Sequence, residues 1–189
     1  MIVSTQEKQL NKEREMHVLA QLMAMALQQR CSEQRELESI HQTSFHSSRV
    51  PHISLRDYIG RIAKYSGCSP ECFVLMIIFI DRYVAATNCP ITFRNIHRLT
   101  ITAAAVSAKL TDDIYYSNAY YASIGGISNS ELNRLELEFL KTIDWYTWVD
   151  PVDYCTYCEQ LQSRYLNSAC VSPSDALGVV TTAGNGLES

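Results

Sequence analysis

The chain has 189 residues, of which 47% are hydrophobic and 19% charged, a composition typical of one globular domain with its own core. Its 16 Lys and Arg are spread along the chain against 20 Asp and Glu, which argues against the concentrated positive patch that nucleic-acid binding requires. The longest apolar run, Cys72 to Ile80, is shorter than the roughly 18–20 residues that span a bilayer, so no membrane segment is expected.

Residues 1–50 predict one helix followed by a connector. The sequence becomes charged before any hydrophobic segment develops, which is unlike a secretory signal. Apolar residues recur at helical spacing within 7–30, and the polar stretch 31–50 that follows ends before Pro51. An odd number of cysteines without a signal indicates a reducing compartment, so the protein is expected in the cytoplasm or the nucleus.

Five further helices are predicted between residues 53 and 165, and no strand-like alternation separates them. Ser54 and Ser128 are typical helix caps, and Pro70 and Pro151 suit the first position of a helix. The third of these helices is rich in alanine and is expected at the centre of the bundle, because small side chains let neighbours approach closely. The expected positions are about 54–66, 70–87, 92–111, 128–143 and 150–165.

The segments between and after these helices are predicted to be irregular. Residues 112–126 contain four tyrosines and end in Gly125-Gly126, which indicates a loop. The tyrosines suit either core packing or an interface, and the sequence does not choose between the two. Residues 166–189 have no periodicity and predict a disordered tail.

One charged residue is out of place in the predicted bundle. Glu136 falls inside the apolar stripe formed by Leu132, Phe139 and Leu140 on the fourth of these helices. A carboxylate there costs several kcal/mol unless it is paired. Lys109 is the expected partner, because it lies at the edge of the apolar face of the alanine-rich helix. The alternative is that Glu136 reaches the rim of the bundle.

No catalytic or metal-binding motif is recognisable, and no cofactor is expected. Asp112 and Asp113 are adjacent and are expected to be solvated acids, not an acid–base pair. The five histidines are scattered and are expected to be ordinary polar surface. Cys155 and Cys158 have the spacing of half a zinc site, but a second pair with matching spacing is missing, so core packing is favoured.

Two stretches of the sequence together resemble the cyclin box. They read SLRDYIGRIAKYSGCSPECFVLMIIFIDRYV and TFRNIHRLTITAAAVSAKLTDDIYYSNAYYASIGGISNSELNRLELEFLKTIDW. Ala108-Lys109-Leu110 followed by two acids is similar to the third helix of the box, and Leu135-Glu136 is similar to the element that carries its paired glutamate. SLRDYIGRI and DDIYYSNAYYASIGGIS resemble the P/U-type cyclins, the group that includes the phosphate-signalling cyclins of yeast.

The resemblance implies an all-α fold: a single five-helix cyclin box at 53–165 with an additional N-terminal helix, and no second box after it. It implies a regulatory subunit, not an enzyme, that binds and allosterically activates a cyclin-dependent protein kinase. The residues that it assigns to kinase binding are Lys109, Leu110, Glu136 and Trp145, and those that it assigns to the structure of the box are Asp81, Arg82, Asp112 and Asp113.

Two other functions stay open at this stage. The first is a cyclin-fold adaptor that acts in transcription without a kinase partner, against which the acidic balance of the chain argues. The second is an enzyme built on a helical bundle that uses Cys155 and Cys158.

Overall fold

The computed structural model describes residues 5–34 and 42–168, with side chains for 6–34 and 42–163. The described residues form seven helices and no strand, which confirms the all-α fold class. The helices are α1 (Thr5–Glu33), α2 (Leu55–Tyr65), α3 (Glu71–Thr87), α4 (Ile96–Thr111), α5 (Asn118–Gly125), α6 (Asn129–Thr142) and α7 (Pro151–Ser168). The predicted tail 166–189 lies outside the described residues apart from 166–168, which end α7.

Three helix ends follow from cap residues that the sequence indicates. The Ser54 hydroxyl accepts a hydrogen bond from the Asp57 backbone N–H at 3.0 Å, and the Ser128 hydroxyl accepts one from the Glu131 N–H at 3.1 Å. Each satisfies a donor that the first turn of a helix leaves without a partner. Asn88 ends α3 in a left-handed conformation (φ 50°), which asparagine tolerates better than most residues.

The alanine-rich helix α4 lies at the centre of the bundle, as predicted. Ala103, Ala104, Ala105 and Ala108 are fully buried, and α4 packs against α2, α3, α5 and α6. Because the α4 side chains are short, each neighbouring helix can approach the α4 backbone closely, and four helices can pack around it. The largely apolar α3 packs against α4 and is covered on other sides by α1, α6 and α7.

The prediction of a loop over 112–126 is wrong for residues 118–125, which form the short helix α5. Its buried residues Tyr121, Ala122 and Ile124 hold it in the core, and Gly126 ends it with a left-handed backbone (φ 70°). Gly125-Gly126, which indicates a loop in the sequence, therefore marks the end of α5. Gly125 lies where α5 crosses α4, and a Cβ there would approach Cγ1 of Ile101 to 2.7 Å.

The N-terminal helix is packed on the rest of the bundle. It contacts α2, α3 and α7. The Asp81 carboxylate of α3 binds side chains of both α1 and α7. Arg30 of α1 donates a hydrogen bond to its Oδ1 at 2.5 Å, and the Tyr157 hydroxyl of α7 donates one to its Oδ2 at 3.1 Å. In the connector that follows α1, Phe45 is fully buried and stacks edge-on against Tyr83 with ring centroids 4.9 Å apart.

His97 is buried, so the prediction that the histidines are polar surface is wrong at this position. Its side chain lies in the first turn of α4, 4.9 Å from the Tyr58 ring, and its Nε2 is 3.2 Å from the Ile53 carbonyl oxygen. Burial lowers the pKa of His97 below its usual range, because the charged ring is poorly solvated there. None of the helices among the described residues is both long enough and apolar enough to cross a membrane.

The close approach of α5 and α4 makes Gly125 sensitive to a single added methyl group. We expect Gly125→Ala to lower the free energy of unfolding by about 1–3 kcal/mol, because the Ile101 side chain must shift. The control is Gly60→Ala in α2, where no atom lies within 4 Å of an added Cβ, and which should stabilise the helix by about 0.5–1 kcal/mol. Urea unfolding of both variants tests this, and equal effects would contradict the close approach.

The buried His97 predicts loss of stability in mild acid. Because its pKa is lowered in the folded state, the unfolded chain binds more protons below about pH 6.5, and the free energy of unfolding falls as the pH drops through that range. Urea unfolding at about pH 7.5 and about pH 5.5 measures the change. His97→Gln should show a smaller change between the two pH values, and an identical change in both proteins would rule out His97 as the cause.

Candidate functional site

An ion pair joins the central helix α4 to α6 as the sequence predicts. Lys109 Nζ lies 2.6 Å from Glu136 Oε1, and the two side chains are 29% and 16% exposed. The alternative that Glu136 reaches the rim without this partner is wrong. Because the Coulomb gain of a partly buried pair is largely offset by desolvation, the pair acts mainly by fixing how the two helices sit against each other.

A second partner of Glu136, which sequence reasoning missed, comes from α5. Asn118 Nδ2 donates to Glu136 Oε2 at 2.7 Å and also lies 2.8 Å from Asn133 Oδ1. Both oxygens of the carboxylate are therefore engaged, and three helices meet at one side chain. Nothing in the sequence marks Asn118 for this role, because it lies in a segment that is typical of a loop.

Another ion pair joins the first turns of the same two helices. Arg98 Nε in α4 lies 2.6 Å from Glu131 Oε1 in α6, and both side chains are about one-quarter exposed. The sequence places Glu131 in a capping box, where its carboxylate would return to the start of its own helix. It instead binds Arg98, so two ion pairs hold α4 and α6 together: one between their first turns, and one from the last turn of α4 to the middle of α6.

Large apolar side chains are exposed on the segments that leave α4 and α6. Leu110 directly follows Lys109 and is 52% exposed, and Trp145 lies just past the end of α6 and is 57% exposed. Further exposed apolar residues are Ile114, Tyr115 and Tyr116 after α4, Leu137 within α6, and Tyr146 and Trp148 after α6.

The turn that carries Trp145 has an unusual backbone. Asp144 and Trp145 have φ values of 53° and 57°, a left-handed conformation that costs a residue with a side chain of the order of 1–3 kcal/mol. The Trp145 N–H donates to the Leu140 carbonyl at 2.8 Å. Arg82 Nη1 donates to the Tyr146 carbonyl at 2.8 Å, and its guanidinium lies 4.1 Å from the centre of the Tyr146 ring. Arg82 therefore helps to hold the turn that presents Trp145.

The tyrosine cluster divides between the two roles that the sequence leaves open. Tyr121 is fully buried in the core, whereas Tyr115, Tyr116 and Tyr120 are exposed. The rings of Tyr116 and Tyr120 lie 4.3 Å apart, and the Tyr120 hydroxyl donates to the Tyr65 carbonyl at 2.9 Å. One tyrosine of the cluster thus anchors α5 in the core, and the other three contribute to the exposed aromatic surface.

The expectation that both acids after α4 are solvated is wrong for Asp112. Its Oδ2 accepts a hydrogen bond from the Ser69 backbone N–H at 3.1 Å and one from the Cys72 thiol at 3.5 Å. A carboxylate at the start of α3 is favourable because the N-terminal end of a helix carries partial positive charge. Asp113 is exposed, as expected.

The prediction that both cysteines of α7 pack in the core is wrong for Cys155, whereas Cys158 packs against the edge of the core. Cys155 is exposed and Cys158 is half-buried, because α7 turns Tyr157, Cys158 and Leu161 towards the bundle and Cys155 away from it. In the part of the chain that the structure describes, no three His, Cys, Asp or Glu side chains are grouped closely enough to hold a metal ion.

These features define a class of protein: an all-helical bundle in which an ion pair joins two packed helices and large apolar side chains are exposed at and beyond the ends of those helices. The sequence model of the cyclin family, described as "Cyclin", matches residues 4–147. The chain therefore belongs to the cyclin family.

Plant cyclins of the P and U types are among the similar proteins. Over 122 residues the chain is 46% identical to Cyclin-P3-1 of Oryza sativa subsp. japonica, covering 65% of this chain and 52% of that protein. It is 46% identical to Cyclin-U3-1 of Arabidopsis thaliana over 122 residues, which are 65% of this chain and 55% of the relative. Cyclin-U4-1 of Arabidopsis thaliana is 40% identical over 156 residues, 78% of this chain and 77% of the relative. The chain spans about half the length of the first two relatives.

The contact between Asn118 and Glu136 predicts a measurable effect on stability. We expect Asn118→Ala to lower the free energy of unfolding by about 1–2 kcal/mol, because a hydrogen bond to a charged acceptor is lost and one carboxylate oxygen is left without its donor. Asn133→Ala is the matched control, since it removes only the exposed bond between the two asparagines. Urea unfolding compares them, and a loss in Asn118→Ala no larger than in the control would contradict the role given to Asn118.

Proposed function

We propose that this chain is the regulatory subunit of a cyclin-dependent protein kinase, which it binds and activates allosterically. The observation that carries the proposal is the Lys109–Glu136 ion pair with the exposed Leu110 beside it in the chain. Membership of the cyclin family supports the class of partner, because binding such kinases is typical of cyclins. The proposed kinase-binding residues are Lys109, Glu136, Leu110 and Trp145.

Within the pair, the two charged groups have different roles. Both oxygens of Glu136 are engaged by Lys109 and Asn118, so Glu136 is a positioning residue. The Lys109 ammonium has three N–H donors, and its side chain is 29% exposed. The Lys109 ammonium can therefore donate a hydrogen bond to a carbonyl oxygen of the kinase while Glu136 holds the lysine side chain in place.

The apolar contribution comes from Leu110 and Trp145. Large aromatic side chains at the centre of an interface are frequent hot spots, and truncating one costs about 2 kcal/mol or more of binding free energy. The backbone of Trp145 is held by Leu140 and by the Arg82–Tyr146 contacts, so less ordering is needed when a partner binds.

Activation requires that this surface bind the active conformation of the kinase more tightly than the inactive one. An active protein kinase needs an ion pair between a lysine of its third strand and a glutamate of its mobile helix, together with an ordered activation loop. A partner that packs against the mobile helix only in its active position shifts the population towards that state. The size of the shift is limited by the difference between its affinities for the two states.

The proposal predicts loss of kinase binding on truncation of the surface. Using a panel of purified cyclin-dependent kinases, we expect the full chain to bind at least one of them and to raise its phosphorylation rate. Lys109→Ala should weaken that binding by about tenfold and Trp145→Ala by about thirtyfold or more, with helical content by circular dichroism close to that of the wild type. The exposed Lys64 and Val50 serve as matched controls, and their alanine variants should bind as the wild type does.

Two results would count against the proposal in different ways. If Lys109→Ala and Trp145→Ala bind the kinase as tightly as the controls do, the assignment of the surface is wrong. If no kinase of the panel binds or is activated, the kinase function itself fails, and the adaptor function without a kinase becomes the better candidate.

A further inference from the structure

Another exposed apolar surface lies at the start of α7. Trp148 precedes the helix and Val152 lies in its first turn, and the two side chains are 69% and 72% exposed. The helix packs on α1 and α3, whereas the Lys109–Glu136 ion pair joins α4 to α6 and is contacted from α5. The outer side of α7 is therefore separate from the helices that carry the ion pair.

The packing of α7 explains why Val152 faces solvent. The α7 residues that pack against the core are Tyr154, Tyr157, Cys158 and Leu161. Because successive residues of a helix are about 100° apart, these four share one side of α7, and Val152 and Glu159 fall on the opposite side. Both Val152 and Glu159 are exposed. A rotation of α7 that buried Val152 would expose the residues that now pack against the core, so the bundle itself does not cover this valine.

The segment that carries these apolar residues is acidic. Residues 142–163 contain Asp144, Asp150, Asp153 and Glu159 and neither Lys nor Arg. All four side chains are exposed, and within the described residues none of the four carboxylates is in an ion pair. Four like charges in one segment produce a negative potential that attracts cationic groups.

Trp148 adds a second preference for a cation. The face of an indole ring attracts an Arg guanidinium or a Lys ammonium within about 6 Å, more strongly than the ring of Tyr or Phe does. Val152, in contrast, offers only apolar contact. A ligand that satisfies both residues therefore needs a positive charge next to an aliphatic side chain.

The length of the surface sets the size of the ligand. Val152 and Glu159 are separated by about 10 Å along the helix. Trp148 extends the surface beyond the first turn of α7. Because an extended chain advances about 3.3 Å per residue, a segment of about five to eight residues covers this distance.

We propose that the start of α7 is a docking site for a basic peptide segment of a partner protein, in which Lys or Arg residues flank an aliphatic residue. The aliphatic side chain packs on Val152, one cationic side chain lies over the Trp148 ring, and others pair with Asp153 and Glu159. Charge complementarity selects this occupant over an acidic segment. The site does not depend on kinase binding, so it can be tested on the chain alone.

A fluorescence anisotropy titration on the full chain tests the site. The probe is the fluorescein-labelled peptide Lys-Arg-Leu-Arg-Lys-Leu-Lys-Arg, and two control peptides replace either every basic residue by Glu or both Leu by Ser. We expect the probe to bind, the acidic peptide not to bind, and the Ser peptide to bind several-fold more weakly than the probe. Raising the salt concentration from about 0.05 M to about 0.5 M should weaken probe binding several-fold, because exposed charges are screened.

Variants of exposed residues assign the contacts without disturbing the core. Trp148→Ala should weaken probe binding by about tenfold. The double variant Asp153→Asn/Glu159→Gln should weaken it several-fold and reduce its dependence on salt. Asp150 is left unchanged, because its Oδ1 accepts a hydrogen bond from the Val152 N–H at 2.8 Å at the start of the helix. Asp113→Asn and Val50→Ala are the matched controls, since both residues are exposed and lie outside α7.

Four results would overturn the proposal. They are no binding of the probe up to about 1 mM, equal binding of the acidic peptide, and binding to Trp148→Ala or to the double variant that is as tight as binding to the controls. The fourth is a dimer in sedimentation analysis that Trp148→Ala converts to a monomer, because the occupant would then be a second copy of the chain. None of these measurements involves a kinase, so their failure leaves the proposed kinase binding untouched.

Discussion

The Glu136 carboxylate is the point at which three helices are fixed relative to one another. Lys109 of α4 binds one oxygen and Asn118 of α5 binds the other, while the side chain itself belongs to α6. A partly buried carboxylate needs such partners because desolvation penalises its charge. These contacts also select one relative position of the three helices, since a shift of any of them leaves a polar group without its partner. The surface built around Lys109 and Leu110 depends on that specificity.

The core around this pair is built from small residues. Ala103, Ala104, Ala105 and Ala108 bring the backbone of α4 close to its neighbours, and Gly125 does the same for α5. Close packing of this kind leaves little room for helices to slide. The ion pairs Arg98–Glu131 and Lys109–Glu136 then set the register of the two helices. The packing of small residues and the two ion pairs thus together fix the position of the exposed segments that follow α4 and α6.

Helix periodicity and caps were sufficient to predict most of the bundle, and the misplaced charge at Glu136 was sufficient to predict its pairing with Lys109. The sequence was less informative where tertiary contacts override local preference. The helix α5 forms in a tyrosine- and glycine-rich segment because Tyr121 and Ile124 are buried, which no local pattern reveals. Asn118 and Arg98 were missed because their partners lie on other helices. Burial of His97 depends in the same way on the loop at Ile53.

The anchoring of Phe45 in the core has a consequence for α1. The stretch 35–41 between the described parts of the chain has seven residues, which reach at most about 25 Å when fully extended. Because Phe45 packs edge-on against both Tyr83 and Phe139, a detached α1 would stay tethered near its own binding face. Its return is intramolecular and faces an effective concentration far above that of any free competitor. A partner protein that binds the face covered by α1 therefore has to compete with that effective concentration.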